Sequence, residues 1–226
     1  LWRHSSMTAI EPEGDLEPDR AKGYLILMRY DRRVILFRLA TFPAVLGAFL
    51  SKTMAASSNV IDDLSREAPL SALGTPWQLF TDQVMGGASN GRMAREIVSG
   101  RPAIRMRGDV KLENNGGFVQ IAIDLTPDGR AIDASAWQGI ELDVFGNGED
   151  YSLHLRTEDL TRPWQSYRQT FRADQSWQTL KFRFTDSVPY RTDTPLNITR
   201  LRRIGIVAIG RAFSADLAIG GIRFMP

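Results

Sequence analysis

Gly139-Ile-Glu-Leu-Asp-Val-Phe145 places Ile140, Leu142 and Val144 on one side of an extended chain and Glu141 and Asp143 on the other. Successive side chains of a strand point to opposite faces, so this alternation predicts a strand with one face on a core and one in water. Gln178-Thr-Leu-Lys-Phe-Arg-Phe184 repeats the pattern with Leu180, Phe182 and Phe184 against Lys181 and Arg183. Tyr151-Ser-Leu-His-Leu-Arg-Thr157 puts Tyr151, Leu153 and Leu155 inward and Ser152, His154 and Arg156 outward. Outward from these, residues 103–107, 118–123, 166–172, 204–209 and 216–224 read as further strands. Turn signals separate them at Asn115-Gly116, Pro127-Asp-Gly129, Gly146-Asn-Gly148, Thr161-Arg-Pro163 and Gly220-Gly221. The stretch leaves no room for a helix of a dozen or so residues after each strand, which a parallel sheet would need. The prediction is an all-β antiparallel sandwich over residues 76–226.

Composition narrows the chemistry. Of 226 residues, 43% are hydrophobic and 24% charged, which excludes a disordered chain, a fibrous repeat and a polytopic membrane protein. Lys and Arg number 28 against 26 Asp and Glu, so bulk charge gives no reason to expect a nucleic-acid partner. The absence of cysteine removes disulfides, thiolate metal sites and cysteine nucleophiles. Two histidines, His4 and His154, are too few for a multi-histidine metal centre. No metal or cofactor is expected.

Residues 1–56 have another character. An acidic stretch through Glu11, Glu13, Asp15, Glu17 and Asp19 has little apolar periodicity and reads as a tail. Met28-Arg-Tyr-Asp-Arg-Arg33, the apolar run Val34 to Leu50 and the small residues after Thr53 follow the order of a secretory signal. Arg38 and Pro43 interrupt the run, which is also slightly short of the ~20 residues of a spanning helix. A membrane anchor through residues 34–50 is the second reading, followed by a mitochondrial presequence or a plain apolar helix. Export or anchoring is therefore expected, with a mitochondrial or cytoplasmic location as the alternative. Residues 57–75 read as a linker or short lead-in helix.

Three constellations stand out in the β-rich part. Asp82-Gln-Val-Met85-Gly86-Gly87-Ala-Ser89 does not follow a buried strand into a helix, so its glycines do not form a phosphate cradle. Gly86 and Gly87 suit a positive φ or a close backbone approach, with Asp82 and Ser89 bonding the loop's amides; direct ligand binding is the competing reading. Lys111-Leu-Glu113-Asn114-Asn115-Gly116-Gly117-Phe118 carries the Asn-Gly pair of a hairpin or bulge, along with amide and carboxylate groups suited to sugar hydroxyls or calcium. Tyr151, His154, Arg156, Trp164 and Tyr167, with Trp177 nearby in sequence, offer the rings and planar donors of a carbohydrate cleft. If the strand at 151–157 pairs with that at 166–172, His154 and Arg156 neighbour Tyr167 or Arg168. Catalytic groups are few: Ser89 lacks a nucleophile elbow, and one histidine cannot complete a triad with it. Glu141 and Asp143, about 7 Å apart on one strand face, are the carboxylate pair that a weak hydrolase reading would use.

In order and spacing, Asp82 to Ser89, Asn115-Gly-Gly-Phe118, Gly146-Asn-Gly148 with Tyr151, Leu155-Arg-Thr157 and Trp177 resemble the complex I intermediate-associated protein 30 family. The resemblance covers about residues 76–225. It implies a galactose-binding-like jelly roll, similar to carbohydrate-binding modules, and a non-enzymatic role as assembly factor or chaperone for NADH:ubiquinone oxidoreductase. Its motif residues here are Asp82, Gly86, Gly87, Ser89, Asn115, Gly116, Gly117, Phe118, Tyr151 and Arg156, with Asn114 in the same loop. The expected partner is a complex I assembly intermediate, bound by loops at one end of the sandwich. An exported glycan-binding module is the alternative, and a cleaved leader would favour it.

Overall fold

A computed structural model describes residues 58–226. The expectations for the tail and for the apolar run at 34–50 lie outside those residues. No helix among the described residues is long and apolar enough to cross a membrane.

The described chain is almost entirely strand: β1 (Val60–Asp62), β2 (Gln78–Thr81), β3 (Asn90–Val98), β4 (Arg101–Val110), β5 (Phe118–Asp124), β6 (Gly139–Phe145), β7 (Glu149–Thr157), β8 (Ser166–Ala173), β9 (Gln178–Arg183), β10 (Val188–Tyr190), β11 (Leu201–Ile209) and β12 (Phe213–Met225). Sheet one runs β3-β4-β12-β6-β9, with β1 also on β12; sheet two runs β10-β8-β7-β11-β5-β2. Every pairing is antiparallel. The two sheets face each other as a jelly-roll sandwich. Ile140, Leu142 and Val144 of β6 and Leu217 and Ile219 of β12 meet Leu153 and Leu155 of β7, Ile204 and Ile206 of β11 and Ile121 and Ile123 of β5. Each is fully buried, and such burial stabilises by about 1.5–3 kcal/mol per side chain.

Four local expectations need correcting. Residues 58–75 do not act as a linker: β1 pairs with β12, Ile61 enters the core, and buried Asp62 accepts from Trp77 Nε1 at 2.7 Å and from the Leu64 and Ala72 amides. Asn115-Gly116 is no hairpin, because β4 and β5 belong to different sheets; a 3₁₀ turn at Glu113–Asn115 carries the chain across, with Asn114 left-handed at φ 57°. Gly146-Asn-Gly148 does separate two strands as expected, and there the chain makes a second crossing, from β6 to β7. Gly220-Gly221 is not a turn but an irregularity inside the 13-residue β12, where the register with β6 shifts. Strand β3 was not anticipated. It is an edge strand, rich in Arg92, Arg95 and Glu96, and exposed charge along an edge masks the apolar alternation.

Candidate functional site

The first motif loop is built around one carboxylate. Asp82 opens a 3₁₀ turn (Asp82–Met85) capped by Thr81 and ended by Gly86 at φ 85°. The Asp82 side chain is completely buried. Its Oδ1 accepts the Ser89 amide at 2.9 Å, and its Oδ2 accepts the Ser89 hydroxyl at 2.5 Å and the amides of Gly117 and Phe118. Burial alone would raise this carboxyl; the bonds from Ser89, Gly117 and Phe118 outweigh it and hold it below its usual value. A Cβ at Gly87 would lie 2.3 Å from Asp82 Cγ, and one at Gly116 2.4 Å from Oδ2. Both loops thus need a glycine where the carboxylate packs against the backbone. Asn114 Nδ2 donates to the Gly86 carbonyl at 3.1 Å and completes the tie between them.

This knot pushes apolar side chains outward. Val84 is 72% exposed, Met85 60% and Leu112 52%, so an open apolar lip forms beside sheet two. The lip borders a cleft of about 720 Å³ on the outer face of that sheet. Phe118 and Gln120 of β5, His154 of β7 and Gly205 and Val207 of β11 supply its floor. Gly205 stands opposite His154, and a Cβ there would come within 3.0 Å of Gln120 Nε2, so the missing side chain keeps the floor low.

The far wall is cationic. Arg156, Arg168, Arg191, Arg202 and Arg203 line the cleft, and no Asp or Glu is among the described residues that do. Arg203 is held by Asp124 through two bonds of 2.6 and 2.8 Å. Arg156 donates to the carbonyls of Arg162, Pro163 and Gln165, fixing the β7–β8 connection and with it Trp164, 47% exposed at the rim. Arg168 donates to Ser166 Oγ at 2.9 Å and lies 3.4 Å above the Tyr190 ring. His154 is only 7% exposed, and its Nε2 is buried without a hydrogen-bond partner, as is Nε of Arg202. Burial, with the charges of Arg168 and Arg156, pushes the His154 imidazole down to about 3, so it is neutral at physiological pH.

Of the residues predicted for a ligand cleft, His154, Arg156 and Trp164 meet there, and Gly116, Gly117 and Phe118 join them from the second motif loop. Tyr151 and Tyr167 do not. Each is an odd number of residues from His154 or Arg168, so the pleat turns it into the core. The Tyr151 hydroxyl donates to Asn147 Oδ1 at 2.7 Å and accepts the Asp216 amide, and burial pushes it up to about 12. The Tyr167 hydroxyl is shared between the carbonyls of Thr194 and Pro195. Asp82, Gly87 and Ser89 lie beneath the lip as its support. Phe80, Gln120, Tyr190, Arg191, Arg202, Arg203 and Gly205 also line the cleft. Their signal was the outward side of the same alternation, unreadable until the strand order put β11 between β5 and β7.

Glu141 and Asp143 sit on the outer face of sheet one, away from the cleft. Arg223 bridges them at 2.7 and 3.2 Å, Lys181 pairs with Glu141, and Thr179 donates to Asp143. Burial would raise the Asp143 carboxyl; Thr179 and Arg223 overcome it and hold it low. Both carboxylates are thus held by cations and a hydroxyl on a sheet face away from the cleft.

Solved structures share this architecture. The family 11 carbohydrate-binding module from Clostridium thermocellum, in complex with a β-1,3-1,4-mixed-linked tetrasaccharide, is 14% identical with a TM-score of 0.57, over 74% of this chain and 95% of that one. The same family's module from the cellulosomal cellulase Lic26A-Cel5E of Clostridium thermocellum gives 13% and 0.58, over 76% and 95%. At such identity the likeness shows the fold. A comparison with curated proteins gave no significant match. Among sequence families, the complex I intermediate-associated protein 30 model matches residues 67–219, from the β1–β2 connection into β12. That span takes in both loops knotted on Asp82 and the whole cleft they border, and the chain belongs to the complex I intermediate-associated protein 30 family.

Proposed function

We propose that this chain is a non-enzymatic binding protein with a role in the assembly of respiratory complex I, and that it docks its partner in the cleft on sheet two. One observation carries the reading. The loops bearing the family's motif residues are tied together by Asp82, and what the tie presents is the exposed lip of Val84, Met85 and Leu112. A catalytic loop would aim a nucleophile or acid into the cleft. Here the acid is sealed below and apolar side chains face out, as a docking surface requires. Deleting the gene is expected to lower the amount of assembled complex I on native gels, with the wild-type chain restoring it and a Val84→Asp, Met85→Asp chain failing to. Normal complex I in the deletion strain would end this reading.

A glycan-binding module is the second reading, favoured by the placement of the cleft on a sandwich sheet with Trp164 at its rim. Calorimetric titration with neutral β-glucans tests it, and loss of heat on Trp164→Ala would support it. Mass spectrometry of the mature N-terminus separates the two settings. A start near Ala56 would mean export, away from intermediates assembling on the cytoplasmic or matrix side.

A further inference from the structure

The cleft's two walls differ in kind. One is the apolar lip. The other holds five guanidinium groups, and among the described residues only Arg203 has a carboxylate partner. Arg156 is spent on backbone carbonyls, which leaves Arg168, Arg191 and Arg202 lining the cleft with no carboxylate partner among the described residues. Buried nitrogens without partners, Nε of Arg202 and Nε2 of His154, lie in the same wall and floor. Clustered like charges at a half-buried surface repel one another, and only a negative ligand relieves that cost. Neutral sugars would instead stack on open aromatic faces. Arg168 lies 3.4 Å over the Tyr190 ring and Arg203 5.5 Å from the Phe80 ring, which leaves Trp164 at the rim and the half-buried Phe118 in the floor as the lining rings, among the described residues, with no cation over them. An acidic sugar would satisfy the arginines but leave Val84, Met85 and Leu112 in water.

We infer that the occupant is a segment of a partner protein with acidic side chains along one edge and apolar side chains along the other, its carboxylates on Arg168, Arg191 and Arg202 and its apolar edge on Val84, Met85 and Leu112. This rests on the docking role proposed above and names the chemistry of the partner. Arginine forks bind carboxylates in paired bonds, which fixes the segment's register as well as its charge.

The test uses the purified full chain and a fluorescein-labelled dodecapeptide of alternating Leu and Glu, followed by anisotropy. Binding is expected, with none by the counterpart carrying Lys for Glu. Raising ionic strength from about 0.05 to about 0.5 M weakens it about tenfold, since the Debye length falls below the reach of the arginine wall. Arg168→Gln and Arg202→Gln each weaken it about tenfold, the scale of one lost charge-assisted pair. Met85→Asp, at an exposed position that does not threaten folding, weakens it similarly, and unchanged thermal unfolding of each variant excludes a folding defect. Equal binding of the Glu and Lys peptides, or of neither, overturns the inference. So does displacement by polygalacturonate of a peptide whose binding ignores Met85→Asp, which would make the ligand an acidic glycan. In the deletion strain, an Arg168→Gln, Arg202→Gln chain that fully restores complex I would sink the acidic partner while leaving the assembly role standing.

Discussion

Replacing Asp82 by Asn changes one atom and removes the anchor of both loops. Oδ2 accepts three donors, from the Ser89 hydroxyl and the Gly117 and Phe118 amides, while Oδ1 accepts one, the Ser89 amide. An Asn amide does least harm with its NH₂ in the Oδ1 position, where a single buried N–H then meets a donor. That costs about 1–3 kcal/mol. The other three bonds lose a charged acceptor, which about halves each, for a further ~1–2 kcal/mol. The sum is about 2–5 kcal/mol, a large share of the ~5–15 kcal/mol that holds a domain together. Urea unfolding of the variant against wild type measures it directly, and a fall in Tm of about 4–20 °C is the thermal counterpart. The sign of the pH dependence is fixed too. Asp82 is depressed below its usual 3.8 in the folded chain, so its contribution is complete above that value and lost as pH falls through the folded pKa. The gap between wild type and Asp82→Asn therefore narrows in acid. A loss below about 1 kcal/mol at neutral pH, or a gap that widens on acidification, would refute the account of the knot.

Other outcomes follow from the same geometry. Gly116→Ala and Gly87→Ala each force a Cβ to within 2.4 Å of the Asp82 carboxylate, and each should cost at least ~1–3 kcal/mol in urea unfolding; an unchanged midpoint would mean the loops are loosely held. His154 is held down to about 3 against 6.5, so stability is full above pH 6.5 and falls between there and about 3 at up to ~1.4 kcal/mol per pH unit; His154→Gln should flatten that limb of the profile. Tyr151→Phe leaves the Asp216 amide without its acceptor and should cost about 1–2 kcal/mol while leaving cleft binding intact, since the ring lies in the core; weakened binding without destabilisation would put Tyr151 back in the site. Leu153→Ala, between the sheets, should cost about 2–5 kcal/mol.

How far the sequence reached depended on the range of the interaction. The strands around Leu142, Leu153 and Phe182 are legible because alternation is a local property: each residue's face follows from its neighbours two places away. The sandwich follows from many such strands without helices between them. Gly87 announces a close approach and Gly116 a hairpin or bulge, but what packs against both is Asp82, 5 and 34 positions distant, and only folding brings it to the second. The cleft was half visible. His154, Arg156 and Trp164 lie close together in the chain, whereas Arg168, Arg202 and Arg203 reach them through the pairing of β8, β7 and β11. Tyr151 and Tyr167 looked like partners of His154 by type and nearness, yet the pleat sets them on the opposite side of the same sheet. Composition balanced 28 basic against 26 acidic residues and so concealed a one-signed wall. Periodicity, then, determined which side of each ribbon is oily. Strand order alone, a matter of long-range hydrogen bonding that no short window encodes, decided which polar sides lie next to one another and so gave this protein a cationic cleft.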